Sequence, residues 1–201
     1  GGGHDIAWAT MCVQWTPSNV GILDTCLESV TSLLLTSTTP SFRLEVMLDE
    51  LADMSIGSVL RHQPAVHTVR LVWQNATALL QRDWPSLRNG LRPTAVAREV
   101  TSLLKLQVFN LTKYSAICWF DTDVLFLRNA SVLLRAAAPF ALIVLRQSAW
   151  GCKGRDYIND GVMLLRPSAT TYDTLYSSFI SGDFFDCGGS ERTLGDQDVV
   201  R

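Results

Sequence analysis

The chain has 201 residues, a formal charge of −2, 47% hydrophobic side chains and 18% charged ones. That is enough for one domain, spanning 1–201, with its own core, and the lack of a basic patch argues against nucleic acid as a partner. The longest apolar run, near 136–145, is about ten residues and contains Pro139, too short to span a bilayer.

The start at Gly1-Gly2-Gly3 leaves room for a membrane anchor outside this chain. The five cysteines show no metal-ligand spacing, which argues against structural zinc. Cys12, Cys26 and Cys118 lie in apolar patterns and read as core; Cys152 and Cys187 lie in Gly-rich loops and form the candidate pair. Asn75, Asn110 and Asn129 each open an Asn-x-Ser/Thr sequon, which favours a secretory lumen such as the Golgi over the cytoplasm.

In chain order, Ile6 to Val13 reads as a first strand. Ser18 is a helix N-cap, and Val20, Leu23, Leu27, Val30 and Leu34 recur at helical spacing, widened by Ile22, Cys26 and Leu33. The helix is expected to stop before Thr36. Phe42 to Leu48 reads as strand two, Asp49 to Leu60 as a helix with Gly57 its weak spot, and Val66 to Trp73 as strand three. A short helix over Asn75 to Arg82 and a loop over Asp83 to Pro93 follow. Thr94 to Phe109 is a predicted helix whose buried side is Val96, Val100, Leu103, Leu104 and Val108. Arg98 and Lys105, seven apart, share a face that reads by default as solvated.

Ala116 to Phe120 is an uncharged buried strand, and Val124 to Leu127 is apolar again. Asp121 and Asp123 interrupt this run. Two anions between buried segments are costly unless something positive compensates them. In extended chain, residues i and i+2 share a face, roughly 6–7 Å apart. Such a pair can converge on one hard cation, Mn2+ or Mg2+, with positions left for a diphosphate. The bland alternative is an acidic turn.

Asn129-Ala-Ser131 caps a short predicted helix, Val132 to Ala137, and Phe140 to Arg146 is a further strand. Gln147 to Asp156 reads as a loop, Asn159-Asp160-Gly161 as the lead into a strand over Val162 to Leu165, and Pro167-Ser168 as the cap of a helix over Ala169 to Ile180. A Gly-rich loop, Gly182 to Leu194, precedes Gly195-Asp196-Gln197-Asp198 at the start of a last helix. Alternating strands and helices predict an α/β fold, a Rossmann-like mostly parallel sheet with helices on both faces. Ligands of such sheets bind beyond the carboxyl ends of the strands. Neither GxGxxG nor GxxxxGK[ST] occurs, so a metal is the expected means of holding phosphate.

Four ordered segments match one pattern: Leu104-Lys105-Leu106, Phe120-Asp-Thr-Asp-Val-Leu-Phe-Leu-Arg-Asn129, Asn159-Asp-Gly-Val-Met-Leu-Leu-Arg-Pro-Ser168 and Gly195-Asp-Gln-Asp198. Together they resemble the core of the glycogenin-like glycosyltransferases, family eight, over about 98–201. The resemblance implies a GT-A type fold, a UDP-sugar donor, a glycan or glycoprotein acceptor, hexose transfer with retention of anomeric configuration, Mn2+ dependence and a tendency to homodimerise. It implies that Asp121 and Asp123 bind the metal and that Lys105 lies near the diphosphate or sugar. Asn159, Asp160, Gly161 and Asp121 would line the donor sugar, Asp196 would hydrogen-bond its hydroxyls, and Gln197 would sit by the anomeric carbon.

The sequence departs from that pattern. The family's third ligand, a His near the domain's end, has no counterpart after His67, so the chain is expected to be truncated at its C-terminus. Asp160 stands where a small residue is usual, and Thr10-Met-Cys-Val-Gln14 matches the nucleotide-binding segment only weakly. These departures keep open a second function: a nucleotide-sugar-binding pseudoenzyme or scaffold of the same fold. A metal-dependent nucleotidyltransferase would need a basic Gly-rich loop after the first strand, which Cys12 to Gly21 does not supply.

Overall fold

The computed structural model describes residues 6–14, 21–37, 43–70, 101, 104–133, 142–148 and 156–181. Its centre is a six-stranded sheet in the order β3-β2-β1-β4-β6-β5. The strands are β1 (Ile6–Cys12), β2 (Leu44–Leu48), β3 (Val66–Arg70), β4 (Ala116–Phe120), β5 (Leu142–Ser148) and β6 (Asp156–Leu165). Strands β1 to β4 run parallel, and β6 runs antiparallel to both its neighbours.

Strand parity divides the core in two. On one face, Ala9, Met11, Met47, Ile117, Trp119, Met163 and Leu165 meet Leu104 and the 3₁₀ turn Leu106–Asn110, with Tyr172 and Leu175 against them. On the other, Trp8, Cys12, Leu44, Val46, Leu48, Cys118 and Phe120 meet helix α1 (Gly21–Thr36) through Leu23, Cys26, Val30 and Leu33. The expected stripe of α1 is thus borne out, with Leu27 and Leu34 at its margin. The helix reaches Thr36 rather than stopping before it, because the Thr36 hydroxyl donates back to the carbonyls of Ser32 (2.8 Å) and Leu33 (3.2 Å). Ser18 and Val20 lie outside the described residues.

The expected helix over Asp49 to Leu60 forms in pieces: α2 (Glu50–Ala52), a π turn (Asp53–Gly57) and α3 (Ser58–Arg61). Asp49 caps it, Oδ1 accepting the Ala52 N–H at 2.8 Å. Strands β1, β2 and β4 match expectation to within two residues. The helix expected to run to Phe109 instead tightens to a 3₁₀ turn at Leu106, where Leu106, Val108 and Phe109 are all buried. The readings over 75–93, Val96, Arg98 and Val100, and everything after Ser181, lie outside the described residues.

Two expectations are corrected. Strand β6 is not confined to Val162 to Leu165 but begins at Asp156, so Asn159-Asp160-Gly161 lies within a strand rather than in the approach to one. The longer strand forms because β5 supplies a partner from Leu142 to Ser148, covering Gln147, which was assigned to a loop. Cys12 and Cys26 are not free core thiols: they form a disulfide, their Cα atoms 5.8 Å apart, because the carboxyl end of β1 faces the first turns of α1. Cys152 and Cys187 lie outside the described residues, and Cys118 is the buried free thiol among those described. The expected cap at the final helix, α4 (Ala169–Ser181), is present: Ser168 Oγ accepts the Thr171 N–H at 3.2 Å.

Candidate functional site at the carboxyl end of the central strand

Strand β4 lies between β1 and β6, and its carboxyl end delivers Asp121 to the edge where parallel-sheet ligands bind. The motif itself is not extended chain, as its i, i+2 spacing suggested. It is a tight turn, closed by the Val124 N–H on the Asp121 carbonyl at 3.2 Å. The Asp121 N–H still bonds across to the Gly161 carbonyl at 2.8 Å, and the chain then folds back. Gly161 falls where β6 leaves the β5 ladder: Met163 faces Val144, but Leu145 faces Asn159. The Gly161 backbone thus lies beside Asp121, and Asn159 faces Leu145 of β5.

Beyond the turn, the chain is anchored to α1. Ser29 Oγ donates to the Val124 carbonyl at 2.6 Å, and Ser32 Oγ accepts the Phe126 N–H at 3.0 Å. Phe126 then packs edge-on against Trp8 and Phe120, with centroids 5.2 and 5.1 Å away. Asn129 Oδ1 accepts the Ser131 N–H at 2.9 Å, so this asparagine caps the following turn as expected.

Asp121 is held from the sheet side. Trp119, two residues earlier, points to the same face, and its indole N–H donates to Asp121 Oδ1 at 2.9 Å. The same oxygen receives the Lys105 ammonium at 3.0 Å. Lys105 is buried, and its Nζ lies 5.4 Å from the centroid of the Trp119 ring. The default expectation of a solvated face is therefore overturned for Lys105. It precedes the 3₁₀ turn that packs on the Trp119 face of the sheet, and the ion pair offsets what burying its charge would cost. Sequence reading missed Trp119, Ser29 and Ser32. Parity pointed to Trp119, since in a strand i−2 shares the face of i. A serine pair three apart on the apolar side of α1 was the corresponding signal for the other two.

Asp123 is exposed. Two carboxylates at a strand end are hard oxygen donors that suit Mn2+ or Mg2+. Among the described residues no third His, Cys, Asp or Glu completes a cluster with them. His62 Nδ1 lies 2.6 Å from the Ser58 carbonyl, and His67 Nδ1 lies 2.7 Å from Glu45, so both are engaged away from the site. Asp121 and Asp123 would supply two hard oxygen ligands to such a cation, with substrate phosphate and water able to fill further positions. Asp196, Gln197 and Arg98 lie outside the described residues; for Asn159 and Asp160 only the backbone is described.

At the same edge, the Gln14 N–H donates to Asp49 Oδ2 at 3.0 Å, and Ser55 Oγ donates to Gln14 Oε1 at 3.3 Å. The weakly matching segment Thr10 to Gln14 is thus the end of β1, tied to the start of α2.

No family model matches the sequence, and no curated protein matches it. Solved structures do match. Mouse xyloside xylosyltransferase 1, apo form, aligns with a TM-score of 0.68 at 15% identity, over 97% of this chain and 80% of that one. Galactosyltransferase LgtC in complex with donor and acceptor sugar analogs aligns with a TM-score of 0.60 at 15% identity, over 98% and 69%. The glycosyltransferase GlyE of Streptococcus pneumoniae TIGR4 aligns with a TM-score of 0.58 at 11% identity, over 98% and 43%. The chain thus has a glycosyltransferase fold of the GT-A type.

Proposed function

We propose that this chain is a retaining glycosyltransferase that moves a hexose from a UDP-sugar to a glycan or glycoprotein acceptor, assisted by Mn2+ or Mg2+. One observation carries the reading: the Asp121-Thr122-Asp123 turn stands at the carboxyl end of the central strand, bonded to the Gly161 carbonyl of β6, in a glycosyltransferase fold. Asp121 and Asp123 are the residues that would hold the cation. When bound, such a cation offsets the charge that develops on a departing diphosphate. Trp119 and Lys105 fix the Asp121 carboxylate before any ligand arrives, which is preorganisation rather than reorganisation at the moment of transfer.

Asn159, Asp160 and Gly161 border the donor sugar in this reading, with the Gly161 carbonyl bonded to the Asp121 N–H. Asp196 hydrogen-bonds sugar hydroxyls. Gln197 is a polar neighbour of the anomeric carbon: an amide is a weak nucleophile and serves better as a stabiliser of an oxocarbenium-like state. The Cys12–Cys26 disulfide and the sequons favour an oxidising lumen over the cytoplasm.

A second reading is a binding-only scaffold. It is favoured by the commitment of Asp121 Oδ1 to a buried lysine and by the two-carboxylate donor set. UDP release from a panel of UDP-sugars with Mn2+ separates the two. Release that depends on Asp123 supports the transferase, and nucleotide binding without release supports the scaffold.

A further inference from the structure

We propose that Lys105 is the resident counter-ion of Asp121, and that it makes cation uptake depend on the donor's diphosphate. The inference rests on the nucleotide-sugar reading above. Its ground is the three-way contact of Lys105, Trp119 and Asp121. The Lys105 ammonium is 3.0 Å from Asp121 Oδ1, the Trp119 indole N–H reaches the same oxygen at 2.9 Å, and the ammonium sits 5.4 Å from the indole centroid. Lys105 is 5% exposed, so its charge is offset by protein and not by water.

A divalent cation approaching this turn meets two carboxylates and a fixed positive charge. The ammonium offsets part of the negative charge on Asp121 that would attract the cation, and the repulsion from a buried ammonium is weakly screened. No third protein ligand joins Asp121 and Asp123 among the described residues. A diphosphate alters both terms at once. It brings oxygen ligands for the cation, and it brings negative charge that the ammonium can share. Cation and nucleotide therefore assist each other, and Lys105 sets how strongly. By linkage, the factor by which UDP tightens Mn2+ equals the factor by which Mn2+ tightens UDP.

The test is Mn2+ affinity, read from the electron paramagnetic resonance signal of free Mn2+, with and without UDP. In the unaltered protein, binding without UDP is weak and UDP tightens it at least tenfold, roughly the scale expected for one poorly screened charge. Lys105→Met tightens UDP-free binding by about the same factor and shrinks the gain from UDP, while Lys105→Arg, which keeps the charge, behaves as the parent. Lys105→Gln repeats the neutral case with a side chain that still donates to Asp121. Equal Mn2+ affinity with and without UDP in the unaltered protein overturns the proposal, with no variant needed. So does unchanged or weaker UDP-free affinity in a folded neutral variant. If no protein takes up Mn2+ under either condition, the nucleotide–metal reading itself fails. If sugar transfer proceeds while the coupling is absent, only the role of Lys105 fails.

Discussion

The indole N–H of Trp119 donates to Oδ1 of Asp121 across 2.9 Å, so a side chain buried in the sheet core fixes a carboxylate at the sheet's edge. Core packing and site geometry are thereby one problem. Trp119→Phe keeps an aromatic ring in the core but removes the donor. Affinity for UDP in the presence of Mn2+ should fall about tenfold, since a hydrogen bond to a charged group is worth roughly 1.5–3 kcal/mol. Isothermal titration of the folded variant measures it. A lower melting temperature with affinity within twofold of the parent would mean that Trp119 serves packing alone.

Asp123 presents the opposite case, an exposed carboxylate whose neutralisation should leave the fold alone. Asp123→Asn is expected to change stability by less than about 0.5 kcal/mol, as for other surface positions. UDP release should nonetheless drop by about a hundredfold or more, the usual scale for losing one electrostatic contributor to a transition state. Thermal melting and a UDP-release assay on the same preparation give both numbers. Undiminished release would remove Asp123 from the mechanism.

What the sequence made legible was whatever depends on periodicity. The apolar stripe of α1, the uncharged run of β4 and the Ser168 cap all declare themselves locally, and all three form as read. Asp121 and Asp123 were visible for a related reason, as charges interrupting a buried run. Pairings across the sheet were not visible. The first half of β6 pairs with β5, which no local pattern announces, so the strand reads from sequence as starting only at Val162. Lys105 looked like a surface lysine because nothing near it in sequence announces Asp121, sixteen positions on. The Cys12–Cys26 bridge was hidden because both residues also satisfy an apolar pattern.

Glu45 shows the same limit and yields a pH prediction. It is the second residue of β2 and is fully buried. It accepts from the Tyr114 hydroxyl, pairs with Lys113 Nζ at 2.7 Å, and lies 2.7 Å from His67 Nδ1. Burial alone would raise its pKa, but the bonds from Lys113, Tyr114 and His67 outweigh that and hold the carboxyl below its ordinary value. A carboxyl lowered in the folded state contributes stability that is fully present above its unfolded pKa, near 4.5, and is lost as pH falls through the folded value. Acid unfolding should therefore steepen below that pH. Glu45→Gln should flatten this limb and cost about 2 kcal/mol at neutral pH, where the charged hydrogen bonds are gone. Urea melts of both proteins from neutral pH to pH 3 supply the comparison. Parallel acid limbs would show that Glu45 does not titrate with unfolding.

The disulfide between Cys12 and Cys26 ties the end of β1 to α1, and so braces the helix whose Ser29 and Ser32 hold the chain beyond the acidic turn. Closing a loop with a sequence separation of 14 restricts the unfolded chain by about 3 kcal/mol. Cys118 cannot substitute as a partner in the native state: it is buried on β4, and burial pushes its thiol pKa well up, leaving little thiolate to react. The Cys12→Ser, Cys26→Ser double variant should therefore melt several degrees lower, and reductant should lower the parent by more than it lowers the variant. Folded protein should take up no alkylating reagent at Cys118, whereas urea-unfolded protein should. If the effect of the bridge passes through α1 to the site, UDP affinity in the variant should weaken together with the melting temperature. An unchanged affinity would confine the bridge to stability, leaving the serine contacts of α1 to hold the turn without it.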